Sequence, residues 1–185
     1  MKLKNQRSVF KMTLLGLNLA LYFALSFASF NLAVTRISMT GIPLIFVSVV
    51  YGPLEGVLIG AIGEFLYQLA FYGLMPHTVL WLLPPIARAL IVGLMFRHKD
   101  PSQHPVLWIV TTVVSCLVVT TINTFSLWAV GWLFFGVTAR EIIIAILIRI
   151  GTSILTAIVY AAIIPTLFRP LIKQGKFELS EKGSE

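Results

Sequence analysis

Long apolar blocks run along this chain, and the breaks between them fall at clusters of proline, glycine and charge. A helix that crosses a bilayer needs about 20 consecutive, mostly apolar residues. Divided at its breaks, the chain predicts six such helices, over about 10–33, 41–51, 54–72, 78–96, 105–135 and 139–168. The second is short and is expected to be tilted or partly buried in the bundle. Pro84 and Pro85 place a kink in the fourth. The fifth and sixth exceed one crossing and are expected to tilt or protrude. The predicted fold class is all-α, an integral membrane bundle of six transmembrane helices forming a single domain over residues 1–185. The basic, then apolar, opening resembles a signal peptide, but its apolar run is too long and lacks a cleavage pattern, so it is read as a retained first helix.

Composition sharpens this picture. Of the 185 residues 58% are apolar and 11% charged, against about 25% charged in soluble chains. The mean hydropathy is +0.93. So little charge leaves a surface that faces lipid, which excludes a soluble enzyme, a disordered regulator and a nucleic-acid-binding domain. The net charge of +7 has another use. Lys2, Lys4, Arg7 and Lys11 precede the first span, Arg97 and Lys99 follow the fourth, and Arg169, Lys173, Lys176 and Lys182 follow the sixth. Six spans put all of these on one side and leave only Arg36 and Arg140 on the other. The positive-inside rule then places both termini in the cytoplasm. The single cysteine, Cys116, excludes an internal disulfide and a cysteine-based metal cluster.

No catalytic apparatus is visible. A phosphate-binding P-loop, a GxSxG elbow, an HExxH pair and a deaminase signature are absent, and His77, His98 and His104 are not spaced as ligands. This points to binding or transport, with no cofactor in the chain itself. Gly16, Ala20, Ala24 and Ala28 repeat every four residues and share one helical face. Small residues let another helix approach closely, either within the bundle or on a different membrane subunit. In span three Glu64 and Gln68 share a face beside Tyr67. A carboxylate within a span costs about 2.5–3.5 kcal/mol, so it needs a partner or water. Glu64 therefore either lines a ligand pocket, pairs with Arg88, or relays protons. The loop around Gly73 and Pro76 carries His77 and leads into Trp81, and it is able to fold back over a cavity. Arg36, in the first external loop, either snorkels to the interface or meets an anionic ligand. Span five offers Asn123, Ser126 and Trp128, as a polar and aromatic pocket wall or as interhelical hydrogen bonds and an aromatic belt. Arg149 is an isolated cation in span six, followed by Thr152 and Ser153.

The small-residue stripe of span one, the stretch from Tyr51-Gly52-Pro53 through Gly56 and Gly60 to Gly63-Glu64, and Thr35-Arg36-Ile37-Ser38 resemble the S components of energy-coupling factor vitamin transporters, over about residues 10–170. These are substrate-binding membrane subunits of ABC-type importers in the bacterial cell membrane. The resemblance implies that Ala20, Ala24 and Ala28, with Gly16, dock on a transmembrane coupling subunit. It implies two cytoplasmic ATPase subunits as further partners, which use the ATP. It places Arg36, His77, Trp81, Asn123 and Trp128 near a small water-soluble vitamin held toward the outside. The expected ligand is pantothenate, its carboxylate met by Arg36 and Arg149 and its hydroxyls and amide by Glu64, Gln68 and Asn123. Hydroxymethylpyrimidine or pyridoxine, stacked on Trp81 or Trp128, is the alternative. Folate is disfavoured because Thr78-Val79-Leu80-Trp81 departs from the Gly-Phe-Thr that opens helix four in that branch. A stand-alone proton-coupled transporter using Glu64 is the competing class.

Overall fold

The structure, a computed structural model, describes residues 2–28, 30–32, 35–99, 101, 103–132 and 139–173. Its helices are α1 (Lys2–Phe27), α2 (Gly41–Val50), α3 (Pro53–Tyr72), α4 (Thr78–Met95), α5 (Pro105–Val130) and α6 (Ala139–Lys173), with strands β1 (Phe30–Leu32) and β2 (Thr35–Ile37) between the first two. Inside hydrocarbon every backbone donor and acceptor must be satisfied within the protein, so long apolar blocks fold as helices. Five of the six helices contain stretches long and apolar enough to cross a membrane, and the chain is a multi-pass membrane protein.

Two departures from the expected spans are informative. The first span was expected to run to Ala33, but α1 stops at Phe27 and the chain turns into an antiparallel hairpin. Phe30 lies opposite Ile37, Asn31 opposite Arg36 and Leu32 opposite Thr35. Paired strands satisfy their backbone across the ladder, so an apolar sequence serves a strand as well as a helix. The fold is therefore the expected all-α class, with one small hairpin added.

The second departure is α2. It starts and ends within a residue of the expected 41–51, but ten residues rise only about 15 Å, half of a roughly 30 Å hydrocarbon core. Gly41 abuts Arg88 near the middle of α4, so α2 begins halfway into the bundle. It survives there because protein surrounds it. Pro43, Leu44, Ile45, Val47, Ser48 and Val49 are all buried. α2 divides the core into two clusters. Ile45 packs with Val92, Trp108, Cys116 and Tyr160 on one side, and Leu44 and Val47 pack with Tyr22, Ile59 and Ala89 on the other.

α3 is the hub, and its glycines explain why. A Cβ on Gly56 would collide with Ser48 of α2, and one on Gly60 would press on Leu44 and Pro85 at 3.0 and 3.2 Å. A Cβ on Gly63 would meet the Tyr22 ring at 2.5 Å. The glycine spacing thus lets α2, α4 and α1 each come within backbone distance of α3. Gly73 caps α3 at φ 72°, a left-handed conformation that few other residues adopt, and turns the chain back toward α4. At the opposite end Lys11 of α1 pairs with Glu55 at 2.6 Å. The α-helical part of the fifth helix runs to Val130, and the Gly131 N–H donates to the Leu127 and Trp128 carbonyls, while the expected end at 135 falls outside the described residues. Residues 133–138 lie outside the described set.

Candidate functional site

A cavity of about 550 Å³ opens among the helices. Small-molecule sites typically occupy about 300–1,000 Å³. Helices α3 to α6 each contribute one face at helical spacing. α3 gives Glu64, Tyr67, Gln68 and Tyr72, and α4 gives Trp81, Pro84, Pro85 and Arg88. α5 gives Cys116, Val119, Thr120 and Asn123, and α6 gives Arg149, Thr152, Ser153, Thr156 and Tyr160. Tyr22, Ser38, Thr40, Leu44 and His77 complete the wall. Part of that wall is aromatic. Tyr67 lies 4.7 Å from Phe71 and 6.2 Å from Tyr72, centre to centre, and Phe27 of α1 tops the cluster at 4.9 Å from Phe71.

Two polar groups are held by tyrosines. Tyr22 donates to Glu64 Oε2 at 3.0 Å, and Gln68 Nε2 donates to Oε1 at 2.9 Å. Both carboxylate oxygens of Glu64 thus have a donor at membrane depth. Arg88, 9% exposed, donates through Nη1 to the Tyr160 hydroxyl at 3.5 Å, and its guanidinium stands 5.2 Å from that ring, a cation–π arrangement. The same hydroxyl accepts the Gly41 N–H at 3.2 Å and donates to the Ser38 carbonyl. The Thr40 N–H turns to the Ser38 hydroxyl at 3.3 Å. Non-helical backbone at this depth is tolerated because it lines the cavity and its polar groups find partners.

Some donors remain unused. Arg88 Nε, Arg149 Nε and Ser153 Oγ are buried without a hydrogen-bond partner, and all three residues line the cavity. A buried donor left unsatisfied costs about 1–3 kcal/mol, so these three favour a ligand rich in acceptors. Among the described residues no group of three His, Cys, Asp or Glu is arranged to hold a metal ion.

Of the residues expected at the site, Glu64, Tyr67, Gln68, His77, Trp81, Asn123 and Arg149 line the cavity. Ser126 and Trp128 are not among its lining residues. Ser126 is buried and donates to the Leu80 carbonyl at 3.3 Å. Pro84, four residues after Leu80, has no N–H to give that carbonyl, so Ser126 replaces the missing helical bond. Trp128 is 41% exposed and stacks on Trp132 at 6.1 Å, on the outer surface of α5. The backbone of Arg36 pairs in the hairpin, but its side chain lies outside what is described. Tyr22, Thr156 and Tyr160 join the site without having been singled out for it, and Thr152 and Ser153 join it beside Arg149. The α6 members follow Arg149 at steps of three and four, which was the readable signal.

α1 has two faces. Asn18, Tyr22 and Ser26 are buried against the bundle. Gly16, Ala20, Ala24 and Ala28 face outward, and a Cβ on Gly16 would meet nothing within 4 Å.

The sequence model of the ECF-type riboflavin transporter S component family matches residues 6–173. No curated protein sequence matches the chain. The chain therefore belongs to the ECF-type riboflavin transporter S component family, a family of vitamin-binding transporter subunits. The expected pantothenate branch finds no support in this match.

Proposed function

We propose that this S component captures riboflavin. The observation that carries the reading is the cavity itself, about 550 Å³, lined by aromatic side chains and by unused buried donors, in a chain of this family. Riboflavin is an uncharged three-ring plane with a carbonyl-rich edge and a polyhydroxyl chain. The plane suits Trp81, Tyr67 and Tyr72. The carbonyls and hydroxyls suit the Arg149 and Ser153 donors and the Asn123 amide, while Glu64 and Gln68 offer acceptors. Pantothenate is a smaller, flexible acid with no ring to set against these walls.

In this reading the chain crosses the membrane six times with both termini in the cytoplasm, the second crossing being the Ser38–Thr40 segment followed by α2. The cavity loads from the outside. The outward face of α1 at Gly16, Ala20, Ala24 and Ala28 receives the coupling subunit, and two ATPases supply the energy that tilts the loaded chain inward. The exposure of all four small residues supports this use of the stripe.

Titration of the purified protein with riboflavin tests the assignment, because stacking on Trp81 and the tyrosines quenches flavin fluorescence. Stoichiometric quenching, with no competition from pantothenate or pyridoxine, is expected. Heat on adding pantothenate and none on adding riboflavin would overturn it. Vesicles holding the chain alone under a proton gradient are expected to bind riboflavin without accumulating it, and accumulation there would favour the secondary transporter.

A further inference from the structure

The Tyr160 hydroxyl stands at a junction that the flavin reading does not require. It caps α2 from α6, accepting the N–H of Gly41, while Thr40, the residue at the cap position, makes no side-chain capping bond. It also donates to the Ser38 carbonyl, directly after β2. One phenol therefore satisfies a donor and an acceptor of the same non-helical segment, in a place where water is scarce. The fit is close, since a Cβ on Gly41 would lie 2.5 Å from both the Tyr160 oxygen and Arg88 Nη1. Arg88 reaches that oxygen from the cavity side with its Nε unused.

We propose that Tyr160 is a positioning residue for the ligand, a clasp that holds the Ser38–Gly41 segment in the form that completes the cavity wall, and that Arg88 links the clasp to cavity occupancy. Ser38 and Thr40 are wall residues, and β2, directly before them, also packs against α6. A ligand acceptor that engages Arg88 orients the guanidinium and, through the shared oxygen, firms the hold on Gly41. The clasp thus acts on how long a ligand stays, because it must let go before the segment moves aside.

The proposal rests on the riboflavin reading for its ligand, and it is tested in lipid nanodiscs with two measurements. In Tyr160→Phe the ring packing is kept and the clasp is removed. Riboflavin dissociation is expected to quicken about tenfold or more, with association nearly unchanged. Amide exchange at residues 38–41 is expected to rise by a similar factor while α5 amides keep their wild-type rates. A general loosening of the fold would raise both. In the wild type, saturation with riboflavin is expected to slow exchange at Gly41. Unchanged dissociation in Tyr160→Phe overturns the proposal, and so does a Gly41 amide indifferent to riboflavin in the wild type, a result obtainable even if the variant fails to fold. If the wild type does not bind riboflavin, the ligand assignment falls, and ligand-free exchange at Gly41 in the two proteins still decides whether the clasp exists.

Discussion

Ser126 of α5 donates to the carbonyl of Leu80 in α4, the carbonyl that Pro84 leaves without a helical partner. Two successive prolines in a membrane helix are tolerable when a neighbour repairs the ladder. Ser126→Ala is therefore expected to lower stability by about 1–3 kcal/mol, seen as a lower midpoint in thermal unfolding. Ser126→Thr, which keeps the hydroxyl, is expected to retain most of it. Equal midpoints for wild type and Ser126→Ala would show that the carbonyl is served by something else.

Asn123 and Trp128 are expected to differ in kind. Asn123 lines the cavity, and Asn123→Ala is expected to weaken riboflavin binding by about 1–3 kcal/mol, from about fivefold to more than a hundredfold, in a fluorescence titration. Trp128→Ala removes a ring from the outer surface of α5 and is expected to leave the affinity where it was. The reverse ranking would mean that α5 presents its other face to the ligand.

The same small change at two glycines is expected to have opposite outcomes. A methyl at Gly63 meets the Tyr22 ring at 2.5 Å and drives α1 away from α3, which costs about 1–3 kcal/mol. A methyl at Gly16 meets nothing, and Gly16→Ala is expected to unfold with wild-type stability, within about 0.5 kcal/mol. Thermal unfolding in one detergent compares the two directly.

Ala24→Trp places a large ring on the outward face of α1. Riboflavin binding by the isolated chain is expected to persist, while co-purification with the coupling subunit and ATP-driven uptake are lost, because small residues set how closely two membrane helices approach. Loss of riboflavin binding in the folded variant would assign this face to the chain's own bundle.

The helices were legible because lipid leaves an apolar stretch few choices. The starts of α2 at Gly41 and α4 at Thr78 were read from glycine, proline and loop residues alone. The hairpin at 30–37 was not legible, since hydropathy scores an apolar strand as it scores an apolar helix. The site was legible wherever polar residues recur at three and four, as with Glu64, Tyr67 and Gln68. Trp128, expected beside Asn123, is not among the residues that line the cavity. Asn123 and Trp128 are five residues apart, which on a helix places them about 140° from each other, so they cannot share a wall. Ser126 sits nearer to Asn123 in angle, but a proline on another helix claims its hydroxyl, and only the packed structure brings the two together. Tyr22 and Tyr160 gave no sequence signal for their partners, because those partners lie on distant segments of the chain.

The capping of α2 by Tyr160 also sets a timetable for biogenesis. The Gly41 amide and the oxygen that receives it are 119 residues apart in the chain. At roughly 5–20 residues per second the ribosome takes about 6–24 s to travel that distance. Through that interval the nascent chain holds a helix too short to span and a non-helical segment that lacks its phenol. α2 is therefore expected to reach its final depth only after α6 has been made. A chain arrested before residue 160 is expected to leave the buried Gly41 open to solvent exchange that the finished protein excludes.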